Sequence, residues 1–172
     1  YPHMAAAAEI TLFDGARNDH LATAQPLLEP LCKEIIHFGE VGTGTAYKLI
    51  VNLIGAVQFA AAAEGMAIAE RAGLNRTTVA GALSKGAAAS PQVIRNVDRM
   101  ARGEHETNIS FSGRLRLKDA SYGLALAKAV GQQADIGQVA ADTFSRQIEQ
   151  GFGELSESKV IDVIARLEKE YP

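Results

Sequence analysis

The residues with the clearest potential for chemistry lie in a glycine-rich segment, residues 39–52, whose sequence is GEVGTGTAYKLIVN. Its three glycines let the backbone approach a ligand closely, and a helix that begins there directs free N–H groups and its positive dipole end at the same space. A substrate carboxylate fits such a place. Lys48 and Asn52 follow on one helical face, four residues apart. A lysine beside an amide can donate and accept a proton, so the segment predicts acid–base chemistry on an acidic substrate.

The same segment has a second interpretation that needs no chemistry. Residues 39–44 then form an ordinary turn between a strand and a helix, Lys48 lies at the surface, and Asn52 is a polar break in a buried helix. Against this interpretation, Lys48 and Asn52 interrupt an otherwise apolar helix, where buried polar groups need a partner. Spacing alone leaves both interpretations open.

Metal and thiol chemistry are not expected. The four histidines are scattered, and we interpret His37 as a strand residue at the surface and His105 as a loop residue. The lone cysteine, Cys32, cannot form an internal disulfide or a multi-thiolate zinc site. A single cysteine is also typical of a reducing compartment.

Composition limits the possible classes of protein. The chain has 172 residues, of which 47% are hydrophobic and 22% charged. These values fit one ordinary domain, or one domain and the remnant of another, and exclude wholesale disorder. The formal net charge of −3 argues against a general nucleic-acid binder. Arg95, Arg99 and Arg102 cluster beside Asp98, and we interpret this cluster as a solvated helix face.

No membrane span or secretory leader is predicted. The most apolar stretch, residues 49–63, contains Asn52 and Gln58 and is shorter than the ~20 residues that a bilayer crossing needs. We therefore expect a helix that is buried on most sides. The first four residues, YPHM, have none of the features of a secretory signal and are typical of a cloning remnant. Together with the lone cysteine, these features predict a cytoplasmic location.

The first forty residues predict a strand–helix–strand unit. Residues 10–13 form a short β-rich run, residues 20–31 have helical spacing, and residues 34–38 form a second strand. Pro26 and Pro30 should keep the helix short or broken. A parallel pair of strands this small is not a stable sheet alone, so we interpret the unit as a βαβ stub of a larger domain.

After residue 40 the pattern predicts helices only. Thr43 or Thr45 is suited to cap a long helix that Gly73 closes. The predicted fold class is therefore mostly α, a helical bundle of about six helices built around one long helix, with the short βαβ stub at its N-terminus. The domains are residues 5–40, the stub, and residues 41–172, all helical. The helices are expected at residues 43–72, 75–85, 90–103, 113–130, 137–150 and 156–171.

The pattern G-x-x-G-x-G-x-x-x-K-x-x-x-N, which residues 39–52 match at every fixed position, resembles the catalytic motif of the 3-hydroxyisobutyrate dehydrogenase, or β-hydroxyacid dehydrogenase, family. Residues 111–119, FSGRLRLKD, are similar to the family's cofactor-side motif, in which a helix begins with Lys-Asp after an upstream Phe. Residues 158–168 resemble the family's terminal helix. The stub, residues 5–40, resembles the last two strands of the family's Rossmann domain, so it would be the remnant of a dinucleotide-binding domain. Residues 41–172 would be the C-terminal substrate and oligomerisation domain.

The resemblance implies an NAD- or NADP-dependent oxidoreductase that interconverts a small 3-hydroxy acid and its semialdehyde or oxo acid. Lys48 would be the general acid/base, and Asn52 would hold the lysine and the substrate oxygen. Gly42 and Gly44 would shape the substrate pocket at the start of the helix. The cofactor side would be formed by Phe111, Lys118 and Asp119.

The sequence also departs from the family pattern. Val51 stands where many members carry a second asparagine, and Lys118-Asp119 is followed by ASYG rather than by an apolar run with small residues. The family's N-terminal Gly-x-Gly-x-x-Gly fingerprint and its Ser-Gly-Gly substrate loop do not occur in these residues. The chain would thus hold one wall of an active site and be inactive alone. The identity of the hydroxy acid and the choice between NAD and NADP are left undetermined.

Two alternatives stay open. The chain can be a helical oligomerisation module without chemistry, or the domain of a related reductase such as an imine reductase. Imine reductases typically place another residue at the position of Lys48, so Lys48 argues against them. The resemblance also implies homodimers or larger homo-oligomers through the helical domains. No nucleic-acid, membrane or metal partner is expected.

Overall fold

The computed structural model describes residues 6–165, and their contacts divide the chain into two units. The first unit ends at Val51 and the second begins at Asn52. The predicted domain boundary lies earlier, after residue 40, and the assignment of residues 5–40 to a dinucleotide-binding remnant stays a prediction. Residue 5 and the end of the last predicted helix, from residue 166 onward, lie outside the described residues.

The first unit contains the predicted strand–helix–strand arrangement. The two strands are parallel, and their register pairs Thr11 with Glu34 and Asp14 with His37. Pro26 lies inside the helix, which ends two residues later, and Pro30 lies in a short 3-10 turn, so the prolines limit the helix as expected. The elements are β1 (Thr11–Asp14), α1 (Asn18–Leu28), the 3-10 turn (Glu29–Leu31) and β2 (Glu34–His37).

A small aromatic cluster holds the first unit together. The rings of Phe38 and Tyr47 stack with their centroids 4.2 Å apart, and Phe13 meets Tyr47 edge-on at 4.7 Å. Phe13 belongs to β1, and Tyr47 belongs to the first turns of the long helix α2 (Thr43–Arg71). Because offset and edge-on aromatic pairs are favourable, the cluster fixes the start of α2 against the strands.

The remaining helices confirm the predicted bundle. The long helix α2 has 29 residues, and Thr43 is its first residue rather than its cap, because the preceding Gly42 carbonyl accepts from the Ala46 N–H at 2.9 Å. Side chains cap three later helices as expected for Asn and Ser. The helices are α3 (Arg76–Leu83), α4 (Pro91–Arg102), α5 (Gly113–Ala129), α6 (Asp135–Glu149) and α7 (Val160–Ala165).

Helix α6 begins two residues earlier than predicted. Gly137 was expected to open this helix, but it lies inside the helix and is buried. A Cβ atom at Gly137 would lie 2.9 Å from Cδ1 of Leu53, which is closer than carbon atoms pack. The glycine therefore permits close contact between α2 and α6, and it does not mark a helix boundary.

The core of the second unit forms along one side of α2. Ala56, Phe59, Ala63 and Met66 are fully buried, and the Phe59 ring meets the Phe144 ring of α6 edge-on at 5.9 Å. Their spacing of three or four residues is that of one helical face. The burial of these side chains provides the main driving force for assembling the bundle.

The opposite side of α2 is more exposed than the sequence predicted. Ile54 and Ile68 are 51% and 59% exposed, so the expectation of a helix buried on most sides is wrong for this chain. One 18-residue window of α2 has a mean hydropathy of 1.5, and 28% of that window is buried. By length and composition α2 is able to span a bilayer, but core helices of soluble proteins pass the same test.

His105 is a loop residue, as predicted, but it is buried. Its side chain lies 2.9 Å from the Ser158 hydroxyl through Nδ1, and only 4% of the residue is exposed. Burial lowers the pKa of His105, because the charged imidazolium loses its hydration. Lys159 and Arg99 act in the same direction, and Asp162 opposes them.

This burial predicts that the protein is less stable in mild acid. The unfolded chain binds a proton at His105 with an ordinary pKa near 6.5, whereas the folded protein resists protonation, so the stabilisation is lost as the pH falls through that value. Urea unfolding at pH 7.5 and pH 5.5 is expected to give a lower free energy of unfolding at the acidic pH, and a smaller difference for His105→Asn. The exposed His20 serves as the control, because His20→Asn should leave the difference unchanged. A difference that is unaffected by His105→Asn would contradict the assignment.

Candidate active site

Lys48 lies in the second turn of α2, next to the anchored Tyr47. The lysine is exposed, and no residue among 6–165 forms a hydrogen bond or ion pair with its Nζ. The argument that burial forces a partner on Lys48 is therefore wrong, whereas Asn52 is half-buried as that argument requires. The stacking of Tyr47 fixes the backbone beside a free amine. This combination suits a lysine that contacts a small molecule.

The two glycines at the start of α2, Gly42 just before it and Gly44 in its first turn, have different environments. Gly42 is exposed and has a φ of +96°, a left-handed conformation that glycine adopts without strain. Gly44 is buried, and a Cβ there would lie 2.4 Å from the Phe13 carbonyl oxygen. Gly44 thus allows the first turn of α2 to contact the end of β1. That Gly42 and Gly44 shape a substrate pocket stays a prediction.

A close side-chain contact at the ends of the strands escaped the sequence analysis. His37 Nδ1 lies 2.6 Å from Asp14 Oδ2, and the two residues are directly paired at the carboxyl ends of β1 and β2. His37 is a strand residue at the surface, as predicted, and its side chain and that of Asp14 are partly exposed. Ligands of open α/β sheets bind beyond this edge. Asp14 and His37 are each the fourth residue of their strand. This correspondence indicates a contact only once the register of the two strands is known.

Lys118 and Asp119, predicted to contact a cofactor, lie together on α5. Lys118 Nζ is 3.1 Å from Asp119 Oδ1 and 5.8 Å from the centre of the Tyr122 ring. The lysine side chain is 50% exposed. Phe111 does not join this group, since its ring packs against the Arg116 guanidinium at 4.8 Å. Their roles at a cofactor stay predictions.

A buried cluster of charges lies behind Phe111. Glu157 is 2% exposed, and its carboxylate accepts hydrogen bonds from Arg116 Nε at 2.6 Å and Arg95 Nη2 at 3.0 Å. Arg116 lies between the rings of Phe59 and Phe111. The interpretation of Arg95 as part of a solvated face is therefore wrong, and burial lowers the pKa of its guanidinium while Glu157 opposes this effect. Arginine stays charged under such shifts, so the Glu157 carboxylate contacts two guanidinium cations.

The comparison with protein families assigns the chain. Residues 42–164 match the family model described as "NAD-binding of NADP-dependent 3-hydroxyisobutyrate dehydrogenase". The match covers most of the chain and includes Gly42, Gly44, Lys48, Asn52 and the segment around Lys118. The protein belongs to this family of NAD(P)-dependent dehydrogenases.

Curated relatives agree with this assignment. The chain is 30% identical over 147 residues to a probable 3-hydroxyisobutyrate dehydrogenase of Mycobacterium bovis, covering 83% of this chain and 50% of that protein. It is 29% identical over 141 residues to the chloroplastic glyoxylate/succinic semialdehyde reductase 2 of Arabidopsis thaliana, covering 82% of this chain and 39% of that protein. The chain therefore spans half or less of the length of these relatives.

Solved structures share the fold. The 3-hydroxyisobutyrate dehydrogenase of Salmonella typhimurium has a TM-score of 0.86 at 23% identity, with 95% of this chain and 57% of that chain covered. The Mycobacterium tuberculosis 3-hydroxyisobutyrate dehydrogenase with L-serine has a TM-score of 0.81 at 28% identity, with 94% and 57% covered. These likenesses confirm the mostly helical fold with a short sheet.

The described residues fit one edge of a nicotinamide dinucleotide, the cofactor of the family. The half-exposed Lys118 amine, held by Asp119 beside the Tyr122 ring, offers a cation and a flat aromatic face to an anionic ligand. No Gly-x-Gly-x-x-Gly segment that would hold the pyrophosphate occurs in the sequence. The role of Lys118 and Asp119 at a cofactor stays a prediction.

Proposed function

We propose that this chain carries the acid–base lysine of an NAD(P)-dependent dehydrogenase that interconverts a small 3-hydroxy acid and its semialdehyde or oxo acid. The observation that supports this most is Lys48, whose amine has no hydrogen-bond or ion-pair partner among residues 6–165 and lies one helical turn before Asn52, beside the stacked Tyr47. Relatives named for 3-hydroxyisobutyrate, glyoxylate and succinic semialdehyde suggest the first substrates to test.

Each residue has a distinct task in this proposal. Lys48 Nζ gives a proton to the substrate carbonyl oxygen during reduction and takes one from the hydroxyl during oxidation. Asn52 holds that oxygen, and the backbone at Gly42 and the start of α2 receives a carboxylate. The nicotinamide cofactor supplies or accepts the hydride when it is bound. Proton transfer and binding are then the work of this chain.

The isolated 172-residue chain is expected to show no turnover and weak or no dinucleotide binding, because it lacks the glycine fingerprint. Purified chain is assayed with NAD, NADP and the three substrates by nicotinamide absorbance. Joining the chain to a dinucleotide-binding partner domain should restore turnover. A normal turnover rate from the chain alone would contradict the proposal.

A second candidate is a helical oligomerisation module without chemistry. It is favoured by the exposed apolar side chains of α2 and α6, where Ile136 and Val139 are 73% and 66% exposed. Homo-oligomers through the helical unit are compatible with both functions. Absence of activity in the joined protein, with or without Lys48, would favour the module, and activity that depends on Lys48 would exclude it.

A further inference from the structure

A groove of about 530 Å³ lies between α2 and α6 in the second unit. Val57, Ala61 and Glu64 form its α2 side, and their spacing of three or four residues places them on one face of the helix. Ile136 and Val139 form part of the α6 side, and both are largely exposed. The groove is therefore open to solvent, although most of the side chains that line it are apolar.

The apolar face of α2 extends beyond the groove at both ends. Ile54 and Ile68, each more than half exposed, continue the row of Val57, Ala61 and Glu64, so that the five residues recur at alternating intervals of three and four. The fully buried residues of α2 lie on the opposite face. Alternating intervals of three and four are the spacing with which one helix packs along another. The row is thus suited to contact a further helix.

The groove also contains an acid and a base that do not pair with each other. Within residues 6–165, Glu64 accepts no hydrogen bond, and neither Glu64 nor Arg146 forms an ion pair. In that part of the chain Arg146 Nε is buried without an acceptor, and its Nη2 donates to the Thr143 hydroxyl at 3.1 Å. A guanidinium that is partly removed from water is stabilised by a carboxylate. The groove therefore offers one unpaired charge of each sign on an apolar surface.

We propose that two copies of this chain pack their α2–α6 grooves together across a two-fold axis, with Glu64 of each copy paired to the partner subunit's Arg146. In such a symmetric contact each pair is matched by the reverse pair, so both charges of both grooves are neutralised. The exposed side chains of Ile54, Ile136 and Val139 become buried at the same time. A second copy is favoured over an unrelated helix because it carries the acid that Arg146 requires. The proposal is independent of the dehydrogenase chemistry, in which none of these residues takes part.

Self-association is measured by sedimentation velocity on the 172-residue chain, at concentrations from about 1 to 100 µM. The unmodified chain is expected to be dimeric within this range. Glu64→Lys and Arg146→Glu each place like charges in both pairs, so each variant alone should have a dimer dissociation constant raised about tenfold or more. Glu106→Lys is the control, because Glu106 is exposed in the loop before α5 and makes the same change in net charge outside the groove.

A mixture of the two charge variants distinguishes this contact from any other. The lysine introduced by Glu64→Lys meets the glutamate introduced by Arg146→Glu, and the native Arg146 of the first variant meets the native Glu64 of the second. Both pairs are then of opposite charge, so the mixture should form mixed dimers with an affinity close to that of the unmodified chain. Recovery in the mixture is expected only where the contact is reciprocal.

Three results would overturn the proposal. The chain could be monomeric throughout the concentration range, the two charge variants could dimerise as well as Glu106→Lys, or their mixture could dissociate as readily as each variant alone. Circular dichroism checks that the variants fold. Ile136→Asp is an independent variant at a largely exposed position, and it should also prevent dimerisation, because it places a charge in the apolar part of the contact. A dimer that Ile136→Asp leaves intact would contradict the proposal as well.

Discussion

Lys48→Ala is expected to lower kcat by about 100-fold or more in the protein joined to a dinucleotide-binding domain, because the proton donor and acceptor is removed. The melting temperature should stay unchanged, since the lysine is exposed and forms no hydrogen bond or ion pair with any residue the structure describes. Steady-state turnover and calorimetry measure the two quantities on the same sample.

Lys128→Ala is the control for this substitution. Lys128 is also an exposed helical lysine, in the last turn of α5, and it is assigned no part in the chemistry. Its replacement should change neither kcat nor the melting temperature. Equal rates for the two alanine variants would remove Lys48 from the reaction.

Glu157→Gln is expected to lower the free energy of unfolding by about 3–5 kcal/mol. The carboxylate is 2% exposed and accepts hydrogen bonds from both Arg95 and Arg116, so its neutralisation removes a buried negative charge that two guanidinium cations contact. The loss is an electrostatic one, because glutamine has nearly the same size and shape as glutamate. Urea denaturation of the purified chain measures it.

Glu154→Gln, three residues earlier in the sequence, provides the comparison. Glu154 pairs with Arg114, but its side chain is 75% exposed and that of Arg114 is 58% exposed, so water screens the pair. Its replacement should cost no more than about 1 kcal/mol. If the two variants lose similar stability, burial is not what makes the Glu157 cluster important.

The elements of this fold follow from local features of the sequence. Pro26, Gly73 and Ser90 mark helix limits in three ways: the proline lacks a backbone N–H, the glycine adopts a positive φ, and the serine hydroxyl accepts a hydrogen bond from the Val93 N–H. Each effect acts within a few residues. The parallel strands and the helices of the bundle were therefore predicted close to their observed positions. Only the last predicted helix extends beyond the described residues.

Contacts between residues that are far apart in the sequence could not be predicted from such local features. Gly137 was taken for a helix boundary because glycine is a common stop, but its function is to admit Leu53 from a helix far away in sequence. Arg95 was placed on a solvated face because nothing near it in sequence shows that it meets Glu157. Such pairings depend on the packing angle of helices, which the local pattern does not encode.

The candidate site was predictable in part for the same reason. Lys48 and Asn52 share one helix, so their spacing alone places them on one face. Arg116 and Gln92, by contrast, reach Gly55 from two other helices, and the spacing of residues along α2 does not predict this contact. A glycine in a helix interior costs stability, and a close approach by other side chains explains its presence here.

The most direct test of the proposed acid–base role is to remove the amine at position 48 and then restore it chemically. In a Cys32→Ser background, Lys48→Cys leaves one cysteine in the sequence, and alkylation with bromoethylamine converts it to a lysine analogue with an amine of nearly the same reach. In the joined protein, Lys48→Cys should be inactive before alkylation and recover a substantial part of the turnover after it. Turnover that stays at the level of the unmodified variant, or that never depended on position 48, would contradict the account.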